Sequence, residues 1–123
     1  MKPVKRVIVC GGQHYTDRIR VYDALDKIKA NSGPDGSDWI FVIHGGATGA
    51  DAIAADWAKL RGQPCAEVEA PWDFYEKRAG PLRNKWMLFL APDGVVAFPG
   101  NNGTRNMISQ AREAGVPVWE VTP

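Results

Sequence analysis

An α/β fold, with helices on both faces of a mostly parallel sheet, is predicted by three observations. Short β-branched or apolar runs alternate with stretches whose apolar residues recur at helical spacing. The runs are apolar almost throughout, as strands covered on both faces require. Glycine closes the first two runs and follows the fourth closely, where each strand must turn back toward a helix. Five strands and four helices can be read in 123 residues, about the length of a single domain spanning 1–123.

The first strand is Val4 to Cys10, a β-branched run that stops at Gly11-Gly12. From Asp17 to about Ala30, Val21, Ala24, Leu25 and Ile28 share one helical face, with Asp17 as N-cap. Residues 31–38 are a loop by composition. Trp39 to His44 is the second strand, stopped by Gly45-Gly46. Thr48 opens the second helix with Asp51 three residues on, a capping-box variant. Its apolar face is Ala50, Ile53, Ala54, Trp57 and Leu60, and Arg61-Gly62 closes it.

Pro64 to Ala70 is a third, weaker strand, followed by an aromatic and charged loop to Gly80. Pro81, placed at N1, starts a third helix that runs through Leu82, Trp86, Phe89 and Leu90. Core packing accounts for Trp86 and Phe89. Val95 to Phe98 is the fourth strand, and 99–103 a turn. Thr104 to Ala114 is the fourth helix, with Met107, Ile108 and Ala111 on one face. Gly115 caps it, and Val116 to Val121 is the fifth strand. Right-handed crossovers leave few topologies for this order, and a Rossmann-like three-layer sandwich is the expected one.

Composition narrows the function. Fifteen Lys+Arg against fourteen Asp+Glu leave a formal charge of +1, which argues against nucleic-acid binding through a basic surface. No apolar run approaches the roughly 18 residues of a membrane-spanning helix. The N-terminus lacks the h-region and cleavage site of a secretory signal. Cys10 and Cys65 match no metal-ligand spacing, and both fall in predicted strands as small buried hydrophobes. A cytoplasmic protein is expected, with no metal and no required cofactor.

The glycines then point to a place. In a parallel sheet, the loops after strands one, two and four emerge at the same carboxyl edge, where open α/β sheets bind ligands. Gly11 and Gly12 lie there, and two further loops run into helix starts. One is Gly45-Gly46-Ala47-Thr48-Gly49-Ala50-Asp51; the other is Pro99-Gly100-Asn101-Asn102-Gly103-Thr104. Unpaired N–H groups and the positive end of the helix dipole suit a phosphate. A lone glycine loop is often turn chemistry only; two at one edge favour a nucleotide-type ligand. Neither loop matches G-x-G-x-x-G or G-x-x-x-x-G-K-[ST], which argues against a conventional dinucleotide enzyme or P-loop NTPase.

Four stretches carry a resemblance: VIVCGGQHYTDRIRVYDAL (7–25), VIHGGATGADAIAADWA (42–58), APWDFYEKRAGPLRNKWML (70–88) and VVAFPGNNGTRNMISQAREAGVPV (95–118). The chain resembles the SLOG superfamily, the Rossmann-like group that includes the DNA-processing protein DprA and the LOG cytokinin-activating enzymes. Within it, the chain is most similar to the YspA/YpsA-related SLOG proteins of the DUF2493 family. The resemblance implies binding of a nucleotide or nucleotide-derived ligand, such as ADP-ribose, NAD or a nucleoside phosphate, as a sensor.

Polar candidates follow at that edge. Arg83, in the first turn of helix three beside Asn84, can clamp a phosphate; it resembles the position of an arginine that LOG enzymes use on nucleoside monophosphates. Asp51 is either a cap partner for Thr48 or a hydroxyl-binding or general-base carboxylate. Thr104 is a first-turn hydroxyl donor to phosphate or an N-cap. Tyr15 either stacks on a base or ribose or lies in a solvated loop. His44 reads either as a phosphate contact or as a core-edge histidine with a backbone hydrogen bond. Trp72 is the aromatic hardest to bury in a core, and fits a ligand wall or a homodimer contact.

The LOG pattern PGGxGTxxE breaks here. Asn101 stands for its second glycine, and Met107 for the glutamate of glycosidic cleavage. Methionine cannot move a proton, so nucleotide binding without turnover is the leading reading. A LOG-like phosphoribohydrolase, with Arg83 and Asp51 as candidate catalytic residues, is the first alternative. DprA-like single-stranded DNA binding is the second, disfavoured by the charge balance.

Overall fold

The computed structural model describes residues 3–71, 75 and 78–122. The strands are β1 (Val4–Cys10), β2 (Trp39–His44), β3 (Cys65–Glu67), β4 (Gly94–Ala97) and β5 (Val118–Glu120). The helices among the described residues are α1 (Arg18–Ala30), α2 (Ala50–Leu60), α3 (Ala79–Leu88) and α4 (Asn102–Glu113), with a short 3-10 turn at Pro34–Gly36.

All four strand pairings are parallel, and the order is β3-β2-β1-β4-β5. β1 is central: Val7 stands opposite Val42 on one side and Gly94 on the other. The chain leaves β1 toward β2, then returns to β4 on the far flank, so strand order reverses between β1 and β4. That reversal leaves a crevice at the carboxyl edge.

Side chains alternate between the two faces, as the pleat requires. Val7 and Val9 of β1, with Ile40, Val42 and Val96, form one core with α1 and α2. Ile8 and Cys10, with Ile43, Val95 and Ala97, form the other with Met87 of α3 and Met107 and Ala111 of α4. The apolar strands therefore do carry two covered faces. Trp57 is fully buried, and its indole N–H donates to Asp26 Oδ1 at 2.8 Å. Arg61 closes on both oxygens of the same carboxylate at 3.0 and 3.1 Å, fastening α2 to α1. These bonds from Arg61, more than the one from Trp57, hold the Asp26 carboxyl below its ordinary range.

Several boundaries differ from expectation. Asp17 does cap α1, accepting from the Arg20 N–H at 3.1 Å. Thr48 does not open α2, because Gly49 occupies the N-cap position at φ 76°. Leu60 is 64% exposed, and Ala58 takes the inward position instead. Pro81 is the third residue of α3, not its first. β3 and β5 are three residues each, for each pairs on one side only. Cys65 is exposed, contrary to the buried role expected of it, while Cys10 is buried. Trp86 and Phe89 are 38% and 72% exposed, so core packing does not account for them. Ala79, Asn84 and Met87 are the residues of α3 that are buried.

Candidate functional site

The crevice has a volume of about 420 Å³. Val9, Cys10 and Met87 line its apolar part. The polar wall comes from three loops and α3: Gly11 and Gln13 after β1, Gly45 to Ala47 and Asp51 after β2, Arg83 and Asn84 on α3, and Asn101, Gly103 and Thr104 at the start of α4.

The loop after β2 is held from inside. Asp51 is only 5% exposed, and its Oδ2 accepts from the N–H groups of Gly45 (3.0 Å) and Ala47 (3.3 Å). Between them, the Gly46 N–H donates to His44 Nδ1 at 3.0 Å. Three consecutive N–H groups are thus bound to protein acceptors and not offered to a ligand. His44 is the core-edge histidine with a backbone bond. Asp51 is not a partner of Thr48, whose hydroxyl donates to the Gln13 carbonyl at 2.9 Å and ties loop one to loop two.

Burial raises the Asp51 carboxyl above its ordinary range, against the opposing pull of the Ala47 and Gly45 N–H groups, His44 and Arg83. Below it, burial pushes the Cys10 thiol up to about 12, with the Asp51 charge adding to the effect. That thiol is inert at neutral pH.

Arg83 lies in the second turn of α3, not the first, since α3 begins at Ala79. Its Nη1 donates to the Gly45 carbonyl at 2.8 Å, and its Nε makes a long 3.4 Å contact to Asn84 Oδ1. Nη2 has no partner among the described residues. Asn84 is buried, and its Nδ2 donates to the Gly103 carbonyl (3.2 Å) and to Asn106 Oδ1 (3.0 Å). It therefore fixes the start of α4 relative to α3. Asn101 stands at the N-cap of α4 but makes no side-chain cap bond. The first turn of α4 thus faces the crevice without a side chain closing it.

Gly11, Gly12, Gly45 and Gly100 serve the packing of these loops on their neighbours, whereas a Cβ on Gly103 would meet nothing within 4 Å. A Cβ on Gly11 would lie 2.6 Å from the Ala50 Cβ, and one on Gly45 would meet the Arg83 guanidinium. A Cβ on Gly12 would stand 3.0 Å from the Pro99 carbonyl oxygen, which accepts the Gly12 N–H at 2.9 Å. At Gly100 it would run into the Thr104 hydroxyl and lie 2.7 Å from the Gly12 nitrogen.

Nine sequence candidates therefore meet at the crevice: Gly11, Gly45, Gly46, Asp51, Arg83, Asn84, Asn101, Gly103 and Thr104. Gly12, Thr48 and Gly49 do not line it. Pro99 and Gly100 line a neighbouring hollow of about 240 Å³ toward β5, and Asn102 is exposed outside both. Tyr15 is neither a solvated loop residue nor a crevice wall. Its ring packs on Phe98 with centroids 5.6 Å apart, and its hydroxyl is buried without a partner among the described residues. Trp72 lies outside the described residues. Sequence reasoning missed Val9, Cys10, Gln13, Ala47 and Met87; the signal for Gln13 was a polar side chain directly after Gly11-Gly12. Among the described residues no three His, Cys, Asp or Glu side chains cluster as metal ligands. No helix among them is long and apolar enough to cross a membrane.

A Rossmann-like parallel sheet with a glycine-lined crevice at its strand-order reversal places the chain in the class of open α/β domains. A family model for the YspA, cpYpsA-related SLOG family (YAcAr) matches residues 5–75, from β1 past β3. The Gene 61 protein of Mycobacterium phage D29 is 38% identical over 122 residues, covering 94% of each chain. The chain belongs to the YspA, cpYpsA-related SLOG family. DNA processing protein A (DprA) from Streptococcus pneumoniae shares the fold with a TM-score of 0.73 at 16% identity, covering 95% of this chain. The chain spans half the length of that DprA chain. TM1055, a structural-genomics target, has a TM-score of 0.67 at 20% identity, covering 93% of this chain and 72% of its own.

Proposed function

We propose that the protein binds a nucleotide or nucleotide-derived phosphate ligand in this crevice, as a sensor or carrier without turnover. One observation carries the reading: the open first turn of α4 and the half-buried Arg83, with Nη2 unengaged, face the same cavity. Helix N–H groups and a guanidinium are both strong donors to phosphate. The loop after β2 contributes shape and not N–H donors, since Asp51 and His44 hold its amides.

Hydrolysis of the LOG type is not favoured. Met107, at the position of the LOG glutamate, is fully buried in the core between the sheet and α4. Such a residue reaches no ligand. A DNA-processing role is the printed description of one structural neighbour, and the near-neutral formal charge of +1 argues against it here.

Calorimetric titration with AMP, ADP-ribose, NAD and cyclic nucleotides tests the proposal. Saturable one-site binding by at least one of them is expected, weakened at least tenfold by Arg83→Ala. Absence of binding across the panel at millimolar ligand refutes it.

A further inference from the structure

The carboxylate of Asp51 is engaged through one oxygen only. Oδ2 accepts both loop N–H groups, and Oδ1 accepts nothing among the described residues. The sole buried side-chain oxygen or nitrogen left without a partner among them is the Tyr15 hydroxyl. Oδ1 is therefore the edge of the carboxylate that the crevice reaches. The side chain is otherwise enclosed, at 5% exposure.

Its position relative to Arg83 is fixed by Gly45. The Gly45 N–H donates to Asp51 and the Gly45 carbonyl accepts from Arg83, so carboxylate and guanidinium are one residue's width apart. Asp51 lines the same crevice as Arg83 and the start of α4, close enough to meet the next covalent unit of an anion held there. In a nucleoside 5′-phosphate that unit is the sugar, and the base lies beyond it. A carboxylate oxygen only accepts hydrogen bonds, so it matches a hydroxyl and rejects a second anion.

We infer that Asp51 Oδ1 accepts a hydrogen bond from a ribose hydroxyl, so that the crevice selects nucleotides that carry ribose hydroxyls over their 2′,3′-dideoxy counterparts. This rests on the proposed phosphate-binding function and specifies its ligand class. A ligand lacking the hydroxyl displaces water from Oδ1 and returns nothing, leaving a buried charge half solvated.

The test is calorimetry of the wild-type chain with AMP, GMP, CMP and UMP and the 2′,3′-dideoxy form of each. For the nucleotides that bind, the dideoxy form is expected to bind about tenfold to a hundredfold more weakly. Asp51→Asn, folded by circular dichroism, keeps an acceptor for Gly45 and Ala47 and is expected to bring that ratio below about threefold. Dideoxy forms that bind within about threefold of their parents in the wild type overturn the inference, while the proposed function stands. Failure of all four monophosphates to bind also overturns it. Only if ADP-ribose, NAD and cyclic nucleotides fail as well does the proposed function fall with it.

Discussion

Replacing Gly49 by alanine separates the two explanations of a glycine-rich loop: room for a ligand, or room for the protein itself. Gly49 has φ 76° and ψ −130°, a backbone conformation reserved almost wholly for glycine, and holding alanine there costs about 1–3 kcal/mol. A Cβ would also run into the Gly12 carbonyl oxygen and lie 2.6 Å from the Gln13 carbonyl carbon. Both are backbone atoms of a loop packed on α2, so relieving the overlap costs about a further 1–3 kcal/mol. Gly62 is the internal control. Its φ of 67° is also positive, but a Cβ there meets nothing within 4 Å. Gly62→Ala should cost only about 1 kcal/mol, left-handed strain less the gain from a stiffer unfolded chain. Urea denaturation should put Gly49→Ala about 1–5 kcal/mol below Gly62→Ala. At about 3–5 °C per kcal/mol for a chain this size, Tm should fall by roughly 3 °C or more relative to that control. Equal costs for the two variants would refute the packing explanation.

Arg83→Lys keeps the charge but loses the fork, and AMP affinity by calorimetry should fall about tenfold. Asp51→Asn should raise stability at pH 7, read by urea denaturation, since burial raises the Asp51 carboxyl in the folded state. A raised folded pKa favours the fold below the unfolded value of 3.8 and withdraws that support as pH rises through the folded value. The advantage of Asn should therefore vanish in thermal melts as pH falls toward 3.8. Met107→Glu should cost about 3–5 kcal/mol by burying an unpaired carboxylate, and chromatography should find no free base released from nucleoside monophosphates. A thiol reagent at pH 8 should titrate one cysteine per native chain, the exposed Cys65, and two only in denaturant. Cys10 is protected by burial and a thiol pushed up to about 12.

The central strands were legible because burial on both faces leaves an unbroken apolar run: β1 and β2 begin and end where Val4–Cys10 and Trp39–His44 predict. Edge strands lack that constraint on one side, so the runs around β3 and β5 read longer than the ladders they form. α3 was misplaced because proline is tolerated throughout a helix's first turn, and its two preceding residues carry no cap signal. Its outward Trp86 and Phe89 and inward Met87 are all apolar, so periodicity could not say which side faces the sheet. The crevice as a place followed from strand order, since the glycine loops share one edge. The roles did not. That Asp51 holds Gly45 and Ala47, not Thr48, depends on the turn at Gly49, and no spacing rule encodes a contact made by a positive φ.

The pairing of β1 with β4 also bears on when the site comes into being. The two strands are joined across 87 residues, as between Arg6 and Asp93, whereas β1, α1, β2 and α2 are neighbours both in sequence and in space. Distant pairings close later than local ones because the intervening loop must first lose its freedom. The crevice needs β4 in place, for Gly12 is bonded to Pro99 and Phe98 to Cys10. A folding chain should thus acquire its first helical layer before it acquires any binding capacity. Pulsed hydrogen exchange would show this as protection of the Val21 and Leu25 amides ahead of those of Gly12 and Phe98; simultaneous protection would contradict it.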